Sequence, residues 1–291
     1  MEEQREKTKK HGAGFAVRII ILTAAAAVFC YAAFQLYSIY HGYQAANDEY
    51  DSLKSSYTSS YSAASDVSTE TSSAPSPDQS SSDESSGEEI FTEDADPPLT
   101  VDFASLQAVN SDVNGWLYID AIPSVSYPIC RGADNDFYLH HTFEKKSLFA
   151  GSIFEDFHNS ADFSDPNSIV YGHNMRNQSM FGLLKTLRSQ ENVDKSPYFW
   201  ILTPNGNYRY HIFAAFETPV NSDAYQLFSG QGAEFLAWEQ EMQKNSEISS
   251  SVPLAESDKT VMLSTCTSDS STRCVVFGKC VSSQRPSKAA G

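Results

Sequence analysis

From Ile19 to Tyr40 the chain runs for 22 residues without a charge. At about 1.5 Å rise per residue a helix of that length covers the ~30 Å hydrocarbon core of a bilayer. The run therefore reads as one transmembrane helix. Arg5, Lys7, Lys9, Lys10 and Arg18 precede it, and the next basic residue is Lys54. The positive-inside rule then puts residues 1–18 in the cytoplasm and everything after the span outside. A cleaved signal peptide is the competing reading, because the alanine cluster offers small-x-small triplets, but its apolar region is usually only about 7–15 residues long. Cys30 has bulky Phe29 before it, where a lipoprotein site wants a small residue, so it reads as a thiol buried in the membrane.

Beyond the span, residues 41–98 are dominated by Ser, Thr and acids, and within 51–98 there are 11 acids against one lysine. So little apolar surface cannot offset the entropy of ordering the chain, and the expectation is a disordered, self-repelling stalk. The net charge of -17 argues against a nucleic-acid partner, since phosphate binding needs a basic footprint. Five cysteines without a CxxC pair argue against a zinc ribbon or a thioredoxin-type motif. No metal or cofactor is expected. The stalk leads to one domain over 99–284, closed by a short tail at 285–291.

Within 99–284 short apolar runs alternate with turns. Strands are expected at 115–120, 126–130, 151–156, 168–173, 198–203, 208–217, 260–266 and 273–281. Asn205-Gly206 signals a hairpin between the fifth and sixth. A leading helix is expected at 101–112 with Phe103, Leu106 and Val109 on one face. Further helices are expected at 178–188 (Met180, Phe181, Leu184, Leu187) and 231–245 (Phe235, Trp238, Met242). Eight strands with peripheral helices define a mainly β protein, best satisfied by a closed barrel because closure removes exposed edges.

Three residues carry potential chemistry. Cys266 ends a strand before the polar loop TSDSST, and Arg273 opens the next. If these strands form an antiparallel hairpin with 266 opposite 273, the two side chains share a face with Cβ atoms about 5 Å apart. His173 ends the strand SIVYGH and is also expected at the barrel rim. A thiol nucleophile, an imidazole acid/base and a guanidinium for a developing oxyanion make an acyl-transfer site. Taken singly, each also fits an ordinary role: a buried thiol, a hydrogen-bonded turn residue, a solvated strand end.

The motifs YGHNM (171–175), SMFGLL (179–184), LSTC (263–266) and RCVVFGK (273–279) together resemble the sortases, specifically class B. The resemblance continues upstream through DVNGWLYID (112–120), YPICRGADNDFYL (127–139) and AGSIFEDF (150–157). It implies an eight-stranded sortase-type β-barrel with N-terminal helices and an additional helix before the cysteine strand. It also implies Cys266 as nucleophile, His173 as general acid/base and Arg273 as the group that positions substrate and stabilises the oxyanion. Asn135, Leu139, Ser264 and Thr265 are implied to line the substrate groove. The implied reaction is cleavage of a short sorting signal, usually LPxTG-like, at the C-terminus of surface proteins. The thioacyl enzyme then passes its cargo to an amine of a peptidoglycan precursor or a pilin lysine.

Two other functions are compatible with the same residues. A thiol hydrolase would resolve the thioester with water instead of an amine. A non-enzymatic, stalked surface module would use Cys266 and His173 for structure alone.

Overall fold

The computed structural model describes residues 2–60, 95–267 and 269–284, in two units, Met1–Tyr50 and Asp51–Gly291. Helix α1 (Glu2–Tyr57) makes up the first unit and continues into the second. Its apolar side chains point outward, with Ile20 64%, Phe29 74% and Leu36 70% exposed. By length and composition it is the one helix among the described residues that is apolar enough to cross a membrane.

The start of the second unit differs from the sequence expectation. Residues 41–57 continue helix α1, and β1 (Thr58–Ser60) pairs antiparallel with β2 (Leu99–Val101) instead of belonging to a disordered stalk. The reason lies in two side chains four apart on one helix face. Leu53 is buried, and the Tyr57 ring meets Phe143 edge-on at 6.2 Å. The Asp102 N–H donates to the Tyr57 carbonyl at 2.9 Å, so the domain begins about forty-five residues before Leu99. The remainder of the expected stalk, 61–94, and the tail 285–291 lie outside the described residues.

Eight strands close a barrel: β3 (Val113–Ile119), β4 (Ile122–Cys130), β5 (Ile153–Glu155), β6 (Asn167–Tyr171), β7 (Tyr198–Thr203), β8 (Gly206–Pro219), β9 (Thr260–Cys266) and β10 (Thr272–Gln284). Their order around the ring is β10-β8-β7-β3-β4-β5-β6-β9. The pairs β4–β5 and β6–β9 are parallel and the other six are antiparallel. Trp116, Phe199, Tyr210 and Phe213 are among the large side chains removed from water, and each fully buried apolar side chain contributes roughly 1.5–3 kcal/mol.

The helices follow the expected burial more closely than the expected geometry. Helix α2 (Phe103–Val109) is capped by Asp102, which accepts from the Ser105 N–H. Only Leu106 of its expected face is buried; Val109 is 51% exposed. Over 178–188 no α-helix forms. Gln178 and Met180 take positive φ (69° and 51°), and the chain resumes as a 3-10 turn at Leu184–Arg188 before α3 (Gln190–Val193). Met180, Phe181, Leu184 and Leu187 are nonetheless all buried, because apolar spacing of three and four fits a folded turn as well as a helix. Helix α4 (Ala233–Lys244) lays Phe235, Trp238 and Met242 on Phe216, Val275 and Phe277. The β7–β8 hairpin turns through Pro204 and Asn205, with Thr203 opposite Gly206. Neither Asn205 nor Gly206 takes a positive φ. The Thr203 hydroxyl accepts from both their N–H groups, so side-chain capping replaces the Asn-Gly turn the sequence suggested.

Candidate active site

Strand β9 delivers Cys266 between two neighbours. On one side β10 runs antiparallel with Arg273 directly opposite Cys266, the register expected from the sequence. On the other side β6 runs parallel, with Tyr171 opposite Ser264. Both chains continue two residues past that last pair, one to His173 and the other to Cys266. Three hydrogen bonds hold them together there. Gly172 N donates to the Ser264 carbonyl at 3.2 Å, the Thr265 hydroxyl to the Gly172 carbonyl at 2.7 Å, and the Asn174 amide to the Cys266 carbonyl at 2.8 Å. The result is a thiol with the Arg273 strand about 4.8 Å away in the sheet on one side and, on the other, the segment bearing His173, held by these hydrogen bonds.

His173 is oriented from a third direction. Its Nε2 lies 2.7 Å from the Leu139 carbonyl. A carbonyl only accepts, so Nε2 carries the proton and Nδ1 keeps the lone pair able to take one from a thiol. The carbonyl is presented by the 3-10 turn Phe137–Leu139, which packs against Gly151. Gly151 has φ +58°, and a Cβ there would lie 2.5 Å from the Tyr138 carbonyl oxygen and 2.6 Å from that of Leu139. A glycine is therefore required for the imidazole's partner to be where it is.

Cys266 is a partly exposed free thiol. Cys130 and Cys274 are buried, and burial pushes the Cys274 thiol up to about 12, which leaves both as packing groups. Burial likewise pushes the Cys280 thiol up, to about 11. Arg273 uses Nη1 to hold its own loop, donating to the Ser270 and Thr272 carbonyls at 2.9 and 2.8 Å. A guanidinium has five N–H donors, so others remain for a ligand.

A groove of about 590 Å³ is lined by Asp156, His158, Ile169, Tyr171, Val220, Tyr225, Leu227 and Arg273. Asp156 organises its rim, accepting from the His158 N–H and ring, Asn135 and Tyr171. Burial opposes its ionisation, but these hydrogen bonds prevail and hold the carboxyl below the usual range. Burial raises the Tyr171 and Tyr225 hydroxyls, which stay neutral, and Tyr171 donates to Asp156.

The four residues implied as groove-lining are distributed differently. Asn135 sits behind the rim, its amide donating to Asp156 and its oxygen accepting from Phe157 N. Leu139 contributes its carbonyl to His173. Ser264 is buried beneath the groove wall, 2.7 Å from the Tyr225 hydroxyl. Thr265 is buried, with its hydroxyl on Gly172. The groove residues Val220, Tyr225 and Leu227 come from the connection after β8, which carries no motif. Asp156 was within AGSIFEDF but read only as part of a strand. Among the described residues no group of three or more His, Cys, Asp or Glu side chains is arranged to hold a metal.

A closed mixed barrel with this rim defines a sortase-type architecture, and the comparisons agree. The family profile described as "Sortase domain" matches residues 117–281, and the chain belongs to the sortase family. Its relatives are class B. Sortase B of Listeria monocytogenes is 32% identical over 200 residues, spanning 66% of this chain and 81% of that protein. A Staphylococcus aureus sortase B–substrate complex superposes with a TM-score of 0.58 at 30% identity, covering 61% of this chain and 83% of the other. Clostridium perfringens sortase B gives a TM-score of 0.57 at 28% identity over 61% and 98% of the two chains. The protein is thus a sortase enzyme of class B, a cysteine transpeptidase that processes sorting signals.

Proposed function

We propose that this chain cleaves an LPxTG-like sorting signal on surface proteins through a thioacyl intermediate on Cys266 and transfers the acyl part to an amine. The observation that carries the reading is the register of β9, with Arg273 opposite Cys266 on one side and the His173 strand on the other. The groove that has Arg273 in its lining is the one the signal would occupy, beside the residue opposite Cys266. As the Cys266 sulfur bonds to the scissile carbonyl carbon, His173 Nδ1 takes the thiol proton, and the free guanidinium donors of Arg273 meet the oxyanion. The C–N bond then breaks, and the imidazolium gives its proton to the departing amine. An incoming amine reverses the sequence: it loses a proton to His173, forms the new amide, and the proton returns to the Cys266 sulfur. The acceptor is an amine of a peptidoglycan precursor or a pilin lysine.

Helix α1 supports a single-pass anchor. Its basic residues precede the apolar stretch, so the N-terminus is cytoplasmic and the barrel is at the outer face. The test is mass analysis of products from an LPxTG-type peptide library, with and without added triglycine. Ligated product that depends on Cys266 supports transpeptidation. Hydrolysis alone, unaffected by the amine, would make the chain a thiol hydrolase.

A further inference from the structure

The ladder between β6 and β9 ends before the residues that matter, although β9 itself runs on to Cys266 beside β10. Their ladder stops at Tyr171 opposite Ser264, with Gly172 N to the Ser264 carbonyl as the last backbone hydrogen bond between them. His173 and Cys266 lie beyond it, on chain ends that the sheet no longer ties together. Each chain approaches its own turn here. The segment after His173 carries two non-glycine residues at positive φ, Gln178 and Met180. The loop after Cys266 turns back to Arg273 within six residues.

Two side chains occupy the place of the missing backbone bonds. The Thr265 hydroxyl donates to the Gly172 carbonyl at 2.7 Å, and the Asn174 amide donates to the Cys266 carbonyl at 2.8 Å. One clasp runs from the cysteine chain to the residue before His173. The other runs from the residue after His173 to the residue bearing the thiol. Thr265 is buried and alternates to the face opposite Ser264 and Cys266, so its bond does not compete with a substrate.

Resting on the mechanism proposed above, we infer that Thr265 and Asn174 are positioning residues: reciprocal side-chain clasps that extend the β6–β9 pair by two residues and fix the distance between His173 and Cys266. Neither touches the reacting atoms. Their effect falls on proton transfer between the two, which depends on separation and direction, and not on signal binding in the groove. Thr265 was implied by its motif to line that groove; the clasp gives the LSTC threonine a different task.

The experiment uses the full-length chain in detergent and the peptide that the parent cleaves fastest from an LPxTG-type fluorogenic library. Thr265→Val removes the hydroxyl at nearly constant volume, Thr265→Ser keeps it, and Asn174→Ala removes the second clasp from a half-buried site. Rates are divided by the folded enzyme present, read from the fluorescence of the buried Trp116 and Trp200 against a urea-unfolded reference. The expected result is a fall in kcat of about 10-fold or more for Thr265→Val and for Asn174→Ala, with KM within about threefold of the parent and most of the rate restored in Thr265→Ser. A kcat per folded enzyme unchanged in both Thr265→Val and Asn174→Ala, or a loss carried by KM, overturns the clasp. Failure of Thr265→Ser to recover overturns it as well, since the hydroxyl would then not be what matters. Absence of cleavage by the parent overturns the mechanism and the clasp with it; cleavage lost in Cys266→Ala separates the two.

Discussion

Replacing Gly151 by alanine tests the route by which the fold orients His173. The substitution adds one methyl group where φ is +58°, a conformation that costs an L-residue about 1–2 kcal/mol. That methyl would also lie 2.5 Å from the Tyr138 carbonyl oxygen and 2.6 Å from that of Leu139. Both neighbours are backbone, so the 3-10 turn must move by about 0.5 Å or more to reach a separation that real contacts show. The Leu139 oxygen is the acceptor 2.7 Å from His173 Nε2 and must move with the turn. Stability should fall by about 2–3 kcal/mol, read as a lower urea midpoint with an unchanged slope. Because a misplacement near 1 Å can cost about 10² in rate, kcat per folded molecule should fall between about 10-fold and 10²-fold. Gly230→Ala, where an added Cβ meets nothing within 4 Å, is the control and should leave stability within about 0.5 kcal/mol. Full kcat in a destabilised Gly151→Ala protein would refute the claim that the Leu139 carbonyl governs the imidazole.

Three further outcomes are expected. Arg273→Lys keeps the charge but loses the planar fork, and kcat/KM should fall by roughly 10² or more in the peptide assay; an unchanged value would remove Arg273 from the oxyanion role. Glu155 is fully buried, and burial raises its carboxyl to about 8, against hydrogen bonds from Asn114 and Ser168 that pull it down. Its Oε1 and the Asn114 Oδ1 are buried acceptors with no donor, while Asn114 Nδ2 donates to Oε2, so a proton on Oε1 would close an acid–amide pair. The folded state thus holds a proton that the unfolded chain releases above the ordinary glutamate range. The Glu155 contribution to stability is full below about pH 4.3 and declines by up to about 1.4 kcal/mol per pH unit as pH rises toward 8. Glu155→Gln makes the same pair without a titrating proton and should flatten that slope in denaturant titrations at several pH values; an unchanged slope would assign it elsewhere. Finally, a chain beginning at Leu99 loses the burial of Leu53 and the β1–β2 pair and should be about 2–3 kcal/mol less stable than the longer protein in urea titrations; equal midpoints would return the domain boundary to Leu99.

What the sequence disclosed follows from how local each signal is. The Cys266–Arg273 pairing was readable because a hairpin register depends only on the residues between its strands. Strands β7 and β9 were located to the residue because continuous apolar runs end there in polar turns. The pairing of β6 with β9 has no local trace, as its partners Tyr171 and Ser264 are 93 positions apart, and the Thr265 and Asn174 bonds exist only once that pairing forms. The start of the domain was misplaced because Leu53 and Tyr57 vanish in the average over a Ser-rich segment, yet two apolar side chains four apart suffice to dock a helical turn. The groove wall at Val220, Tyr225 and Leu227 belongs to a connection whose sequence fixes no regular element, so its contribution emerges only from tertiary placement.

The most direct test of the mechanism is to trap the acyl-enzyme. Full-length protein mixed with a cleavable LPxTG-type peptide is quenched in acid and digested with trypsin, and the mass of peptide 260–273 is measured. The account predicts that this peptide gains the mass of the signal's N-terminal fragment as a thioester on Cys266, that the adduct disappears when triglycine is added before quenching, and that Cys266→Ala forms none and cleaves nothing. Cleavage that proceeds with peptide 260–273 unmodified, and persists in Cys266→Ala, would contradict it.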